Sequence, residues 1–248
     1  MKFRQHVCAL VLGIAPFTFV QAQVIIPSGD RVGTTPGVGN GLNGFFWERP
    51  PASIAVDGNT NPANSISNQI DSFGQPTGRF EAHAFGYFGN DLTPITTWLG
   101  SDAGSYVGPA GSDLGDGAFR FEGFLFIPAA GIYNFGSTSD DGSRIHIGSV
   151  ELIDPVLGNN DGSHGDQTRD VDASFSAAGL YPFQVDYFNG DWTDPANPAN
   201  HGGANLTVRQ SFAPITDTNL YRNVPEPSAV IIGLVTLGGM LALRRRRP

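Results

Sequence analysis

Ser139-Asp140-Asp141-Gly142-Ser143-Arg144-Ile145-His146-Ile147 is the stretch on which the reading of this chain turns. Two carboxylates stand side by side at the end of an apolar run, and Gly142 follows at once. Ile145 and Ile147 then alternate with Arg144 and His146, the two-residue period of a half-buried strand. Adjacent acids at a strand–loop junction repel each other. One remedy is a solvated Asp-Asp-Gly turn, since both residue types favour turns. The other is a hard cation held by the carboxylate oxygens, and outside cells the common one is Ca²⁺. The residues alone leave both open.

The flanking pattern is that of short strands. Phe119-Arg120-Phe121-Glu122-Gly123-Phe124-Leu125-Phe126-Ile127 alternates and then becomes apolar on both faces. Pro128 to Gly131 turns the chain, and Ile132-Tyr133-Asn134-Phe135 opens a strand that runs into the aspartates. Val150 to Ile153 follows, then a loop from Asp154 to Asp166. Val171, Ala173 and Phe175 alternate with polar residues, and Phe183, Val185 and Tyr187 share one face. Leu206 and Val208 close the series. Upstream, Gly41 to Trp47 and Phe80 to Phe88 are aromatic strand candidates, and Trp98 reads as core. Asp57-Gly58-Asn59-Thr60-Asn61 reads as a turn, lacking the later glycine and acid of a helix–loop–helix calcium loop. Strands at this spacing, with no repeat and no long amphipathic helix, predict an all-β antiparallel sandwich or barrel.

The two ends read differently from the body. Met1 to Ala22 carries Lys2 and Arg4, an apolar run from Val7 to Val20, and small residues before Gln23. That is the pattern of a secretory signal peptide, residues 1–22, whose removal takes away Cys8, the only cysteine. Residues 23–40 are rich in Gly, Pro and Thr and read as an extended arm; 41–212 is the β-domain, and 213–223 a linker. Residues 224–248 hold Pro225-Glu226-Pro227, an apolar segment at 229–243, and Arg244 to Arg247. The apolar segment is short for a transmembrane helix, and the arginines would stay on the cytoplasmic side.

Between Gln23 and Asn223 there are 8 arginines, no lysine and 22 carboxylates, an excess of 14 negative charges. Such a surface repels nucleic acid and anionic lipid and suits an extracellular, calcium-rich setting.

The C-terminal 25 residues closely resemble the PEP-CTERM sorting signal of Gram-negative bacteria. The resemblance implies recognition by an exosortase-type membrane protease, transient anchoring in the inner membrane, and delivery to the cell surface or extracellular matrix, in connection with exopolysaccharide and biofilm. The body from Phe119 to Val208 resembles the protective-antigen-type (PA-fourteen) domain. The resemblance is carried by Phe124 to Gly131, Tyr133-Asn134-Phe135, Ser139 to Arg144 and Tyr181 to Tyr187, with Gly41 to Phe46 similar to the opening strand. Glu48 to Ala118 contains nothing assignable. This second resemblance implies a barrel-like β-sandwich and, as in sugar-binding members, a Ca²⁺ held by adjacent aspartates joined through a cis peptide. Asp140 and Asp141 match those aspartates, and Asn189, in Tyr187-Phe188-Asn189-Gly190-Asp191-Trp192, matches a further ligand. To these the residues themselves add Asp191 as a spare oxygen donor and Trp192 as an apolar wall for a sugar ring. The implied function is calcium-dependent, lectin-like carbohydrate binding to a glycan or exopolysaccharide. The alternative is a surface protein in which the ion is only structural.

An enzyme is not expected. A glycosidase needs two carboxylates on opposite sides of the scissile bond, roughly 5–9.5 Å apart, which adjacent aspartates do not suit. Glu81, Glu122 and Glu151 sit in no catalytic motif, and no serine occupies a nucleophile elbow. His146, His164 and His201 lack zinc-ligand spacing and read as exposed strand or loop residues.

Overall fold

A computed structural model describes residues 23–34, 39–48, 65–153, 157–158, 160–190, 201–211 and 213–223. The expected signal peptide, the 229–243 segment with its sorting signal, the turn at Asp57, and both Asp191 and Trp192 lie outside the described residues. Among the described residues no helix is long and apolar enough to cross a membrane.

The architecture is two sheets packed face to face. The centre of the larger one is β4 (Gly117–Ile127) paired antiparallel with β9 (Gly179–Asn189), from Gly117 opposite Asn189 to Ile127 opposite Gly179. On one side of this pair lie β2 (Leu42–Glu48) and β3 (Gly78–Ala82); on the other lie β6 (Ser143–Ile147) and β7 (Val150–Glu151). The smaller sheet runs in the order β1 (Gln23–Ile26), β8 (Gln167–Phe175), β5 (Gly131–Asp140), β10 (Asn205–Gln210), β11 (Ala213–Pro214).

Strand alternation sorts the side chains. Phe119, Phe121, Tyr181, Phe183, Val185 and Tyr187 of the larger sheet face inward and meet Phe135, Val171, Phe175, Leu206 and Val208 of the smaller one. Each large apolar side chain buried here contributes about 1.5–3 kcal/mol. Trp98, on the single helical turn α2 (Ile95–Trp98), is buried as expected. It stacks on Tyr87 at 4.6 Å and on Tyr187 at 5.8 Å, and its indole N–H donates to the Ala204 carbonyl at 2.7 Å. One core side chain therefore holds the end of β9 and the approach to β10 together.

Three expectations change. The extended arm expected over residues 23–40 contributes a strand: β1 adds to the smaller sheet parallel to β8, and Ile26 is buried. Residues 213–223 are not a linker. β11 pairs with β10, and β12 (Leu220–Tyr221) pairs with β4, so Ile215, Leu220 and Tyr221 enter the core. The strand expected over Phe80 to Phe88 stops at Ala82, and single bridges at Ala84 and Tyr87 carry the chain across to Thr216 and Leu206. The helix α1 (Ile66–Ser72) falls in the stretch without assignable pattern. The Ser65 hydroxyl caps it, accepting from the Asn68 N–H at 3.2 Å, and Ile66 and Ile70 pack on Ala118 and Phe188.

Candidate functional site

The site grows from the end of β5. Phe135, Ser137 and Ser139 face the core, so Thr138 and Asp140 face out. The Asp140–Asp141 peptide is cis, as the family resemblance implied. Behind it, the hydroxyls of Ser137, Ser139 and Ser143 and the amide of Asn160 form a buried hydrogen-bonded cluster. This cluster fastens the loop at 160–166 against the junction of β5 and β6. Gly142 completes the fit: a Cβ there would meet the Phe188 ring and the Gly162 backbone.

The two aspartates differ sharply. Asp141 is buried and its carboxylate accepts three hydrogen bonds: Oδ1 from the His164 N–H at 2.8 Å and the Ser163 hydroxyl at 3.2 Å, and Oδ2 from the Gly190 N–H at 2.7 Å. Asp140 is half-buried, and among the described residues no donor reaches its carboxylate. Burial, then the neighbouring charges of Asp141 and Asp166, push its carboxyl up to about 6. The group thus sits in a field of other carboxylates that His164 offsets only in part, and a cation would relieve it.

Both aspartates line a cavity of about 500 Å³, with Ser163, His164, His201 and Gly203 among its other walls. That volume suits a small ligand. His164 and His201 are half-buried here rather than exposed, because the loop from Asp161 to Asp166 and the chain before β10 close over the aspartates. His146 is also half-buried. It lies 3.2 Å from the Ser67 hydroxyl, and burial lowers its pKa, leaving the imidazole neutral at pH 7. Among the described residues no three His, Cys, Asp or Glu side chains converge to hold a metal. From the described residues, an ion at Asp140 and Asp141 would complete its shell with amide, carbonyl and water oxygens. Such a set fits Ca²⁺ and not zinc.

Asn189 stands behind the pair, fully buried at the end of β9. Its amide nitrogen donates to Asp91 Oδ1 at 2.9 Å and to the Leu114 carbonyl at 3.1 Å. Its carbonyl oxygen lies 3.4 Å from the Tyr187 hydroxyl, which donates to the Asp140 carbonyl at 2.6 Å. Burial, followed by the charges of Asp141 and Asp140, raises the Tyr187 pKa well above its ordinary value, so this donor keeps its proton.

Sequence reasoning missed Asp91. Its second oxygen accepts from the Gly202 N–H at 2.9 Å, so one buried carboxylate holds both Asn189 and the loop that lines the cavity. The only local signal was the turn-forming Gly89-Asn90-Asp91.

The fold has known counterparts. The chain is similar to the PA14 domain of the antifreeze protein MpAFP (19% identity, TM-score 0.58, 79% of this chain and 97% of that one). It is similar too to a PA14 sugar-binding domain from an RTX adhesin (17% identity, TM-score 0.55, 75% and 99%). A third likeness is to the A domain of epithelial adhesin 6 from Candida glabrata, solved with Galβ1-3GlcNAc (14% identity, TM-score 0.51, 80% and 95%). No curated protein matches. At these identities the likenesses establish the fold. The family model described as PA14 domain matches residues 99–205, the span that holds both aspartates and Asn189.

Proposed function

We propose that this is an exported surface or matrix protein whose PA14 domain binds carbohydrate through a Ca²⁺ held by Asp140, Asp141 and Asn189. The carrying observation is the asymmetry of the pair: Asp141 is fixed by three donors, while Asp140 has no donor among the described residues and borders a ligand-sized cavity. Two of the similar structures support the sugar, one described as a sugar-binding domain and one solved with a disaccharide. Bound Ca²⁺ would supply open coordination places where two vicinal sugar hydroxyls replace water. No nucleophile or proton transfer enters, so the proposal is a binding module and not an enzyme. Asp191 and Trp192, just beyond Gly190, are proposed as a further oxygen donor and a ring wall. The acidic body, the leader and the C-terminal sorting pattern support export, processing by an exosortase-type protease and a place among exopolysaccharide.

One observation favours a second reading, an ion that is purely structural. Asp141 already ties the Ser163–His164 loop to Gly190, and a cation there would strengthen the same tie. Calorimetric titration of Ca²⁺ into chelator-treated protein, with melting curves at both ends, tests the ion. Heat and a raised Tm are expected, and their absence reduces Asp140–Asp141 to a turn. Glycan binding in Ca²⁺ and in chelator then separates a lectin from a staple.

A further inference from the structure

Phe88 is 66% exposed, in a chain whose other aromatic residues near it are core. The register around it explains where it stands. Tyr87 and Leu206 exchange backbone hydrogen bonds at 3.0 and 2.9 Å, and both side chains are buried. The next residues along, Phe88 and Asn205, are therefore opposite each other and face away from the core. Asn205 is in turn the partner of Asp140. Asp140, Asn205 and Phe88 thus form one row across the outer face, on three adjacent chain segments. Neighbouring strands are spaced so that Phe88 and Asp140 are about 10 Å apart at Cα.

Asn205, between them, is short and held from both sides. Its amide nitrogen donates to Asp166 at 3.1 Å, and its oxygen accepts from the Gly89 N–H at 3.3 Å. Gly203, two residues before Asn205, presents only backbone to the same face. Among the described residues, the floor between the carboxylate and the aromatic ring is therefore low and polar.

We propose that Phe88 is the platform for a second sugar ring, adjacent to the one held at Asp140–Asp141, so that the preferred ligand is a di- or oligosaccharide. This rests on the carbohydrate reading above. A lone aromatic ring amid polar neighbours is too small for a protein-docking patch but matches the apolar face of one pyranose. The spacing from Asp140 places that pyranose beyond the ion-bound ring. Phe88 comes from the segment before the aspartates, so it sets ligand length without touching the ion.

The test compares the parent with Phe88→Ala and Phe88→Trp on an array of monosaccharides and the β-linked disaccharides built from them, Galβ1-3GlcNAc included, in Ca²⁺ and in chelator. The parent is expected to prefer disaccharides by about three- to tenfold, the range of a single aromatic contact. Phe88→Ala should erase that preference with monosaccharide and Ca²⁺ affinity unchanged, and Phe88→Trp should restore it. A preference that survives Phe88→Ala overturns the platform while leaving the calcium-dependent site standing. Absence of any calcium-dependent sugar binding by the parent overturns the carbohydrate reading and the platform with it. An unchanged melting curve for Phe88→Ala confirms that the exposed ring has no part in the fold.

Discussion

The backbone of Gly203 lies directly against the carboxylate of Asp140: a Cβ at residue 203 would overlap Oδ2. The constraint is one of space, since Gly203 has no left-handed backbone angle. Gly203→Ala is therefore expected to displace the Asp140 carboxylate and weaken Ca²⁺ binding at least tenfold, with little change in the apo melting temperature. Titration calorimetry and a chelator melt measure the two separately. Equal Ca²⁺ affinity in the variant would mean that Oδ2 plays no part in holding the ion.

The two aspartates should respond unequally to the same substitution. Asp140→Asn removes a charge that sits among carboxylates with no donor among the described residues, so at pH 7 the apo protein should be at least as stable as the parent while Ca²⁺ binding is lost. Asp141→Asn turns one acceptor into an NH₂ facing the N–H of Gly190 or of His164. That mismatch is expected to cost about 1–3 kcal/mol even in chelator. Denaturant unfolding of both variants without Ca²⁺ decides it, and equal losses would contradict the asymmetry.

Asp140 also gives the apo protein a pH dependence of definite sign. Its carboxyl is raised from 3.8 to about 6, so the folded state binds the proton more tightly than the unfolded one. Its contribution to stability is fully present below the lower value and is lost as pH rises through about 6. Melting in chelator should fall across that window, and Asp140→Asn should flatten this component. A Ca²⁺ that displaces this proton should bind about tenfold more weakly at pH 5 than at pH 7.

Trp98→Ala should be among the most damaging single changes. It removes a stack on Tyr87 and Tyr187 and leaves the buried Ala204 carbonyl without its donor. A loss of about 3–5 kcal/mol is expected for such a truncation. Trp98→Phe keeps an aromatic ring but not the N–H, and should lose about 1–3 kcal/mol. Denaturant midpoints at constant m-value check both.

Much of the fold was legible where a strand had one wet and one dry face. Phe119 to Ile127, Ile132 to Asp140, Val171 to Phe175 and Phe183 to Tyr187 announced themselves by period and turn residues, and the aspartates by charge. What escaped was set by tertiary contact. β1 is four residues whose pairing with β8 comes from the far side of the chain, and β11 and β12 are two residues each, too short for any period. α1 offers only Ile66 and Ile70 at helical spacing; its Ser65 cap and its seat on Ala118 and Phe188 complete it. Asp91 was invisible because its importance lies in what it touches, Asn189 and Gly202, both about a hundred residues away in sequence.

The pairing of β12 with β4 gives the domain a polarity. Asn189, beside the aspartates, is opposite Gly117 at one end of β4, whereas Tyr221 is opposite Phe124, seven residues further along. At strand spacing that is about 23 Å. The body thus hands over to residue 224 well away from its cavity. A partner that gripped the chain at Tyr221 would leave the aspartates accessible at the other end of β4.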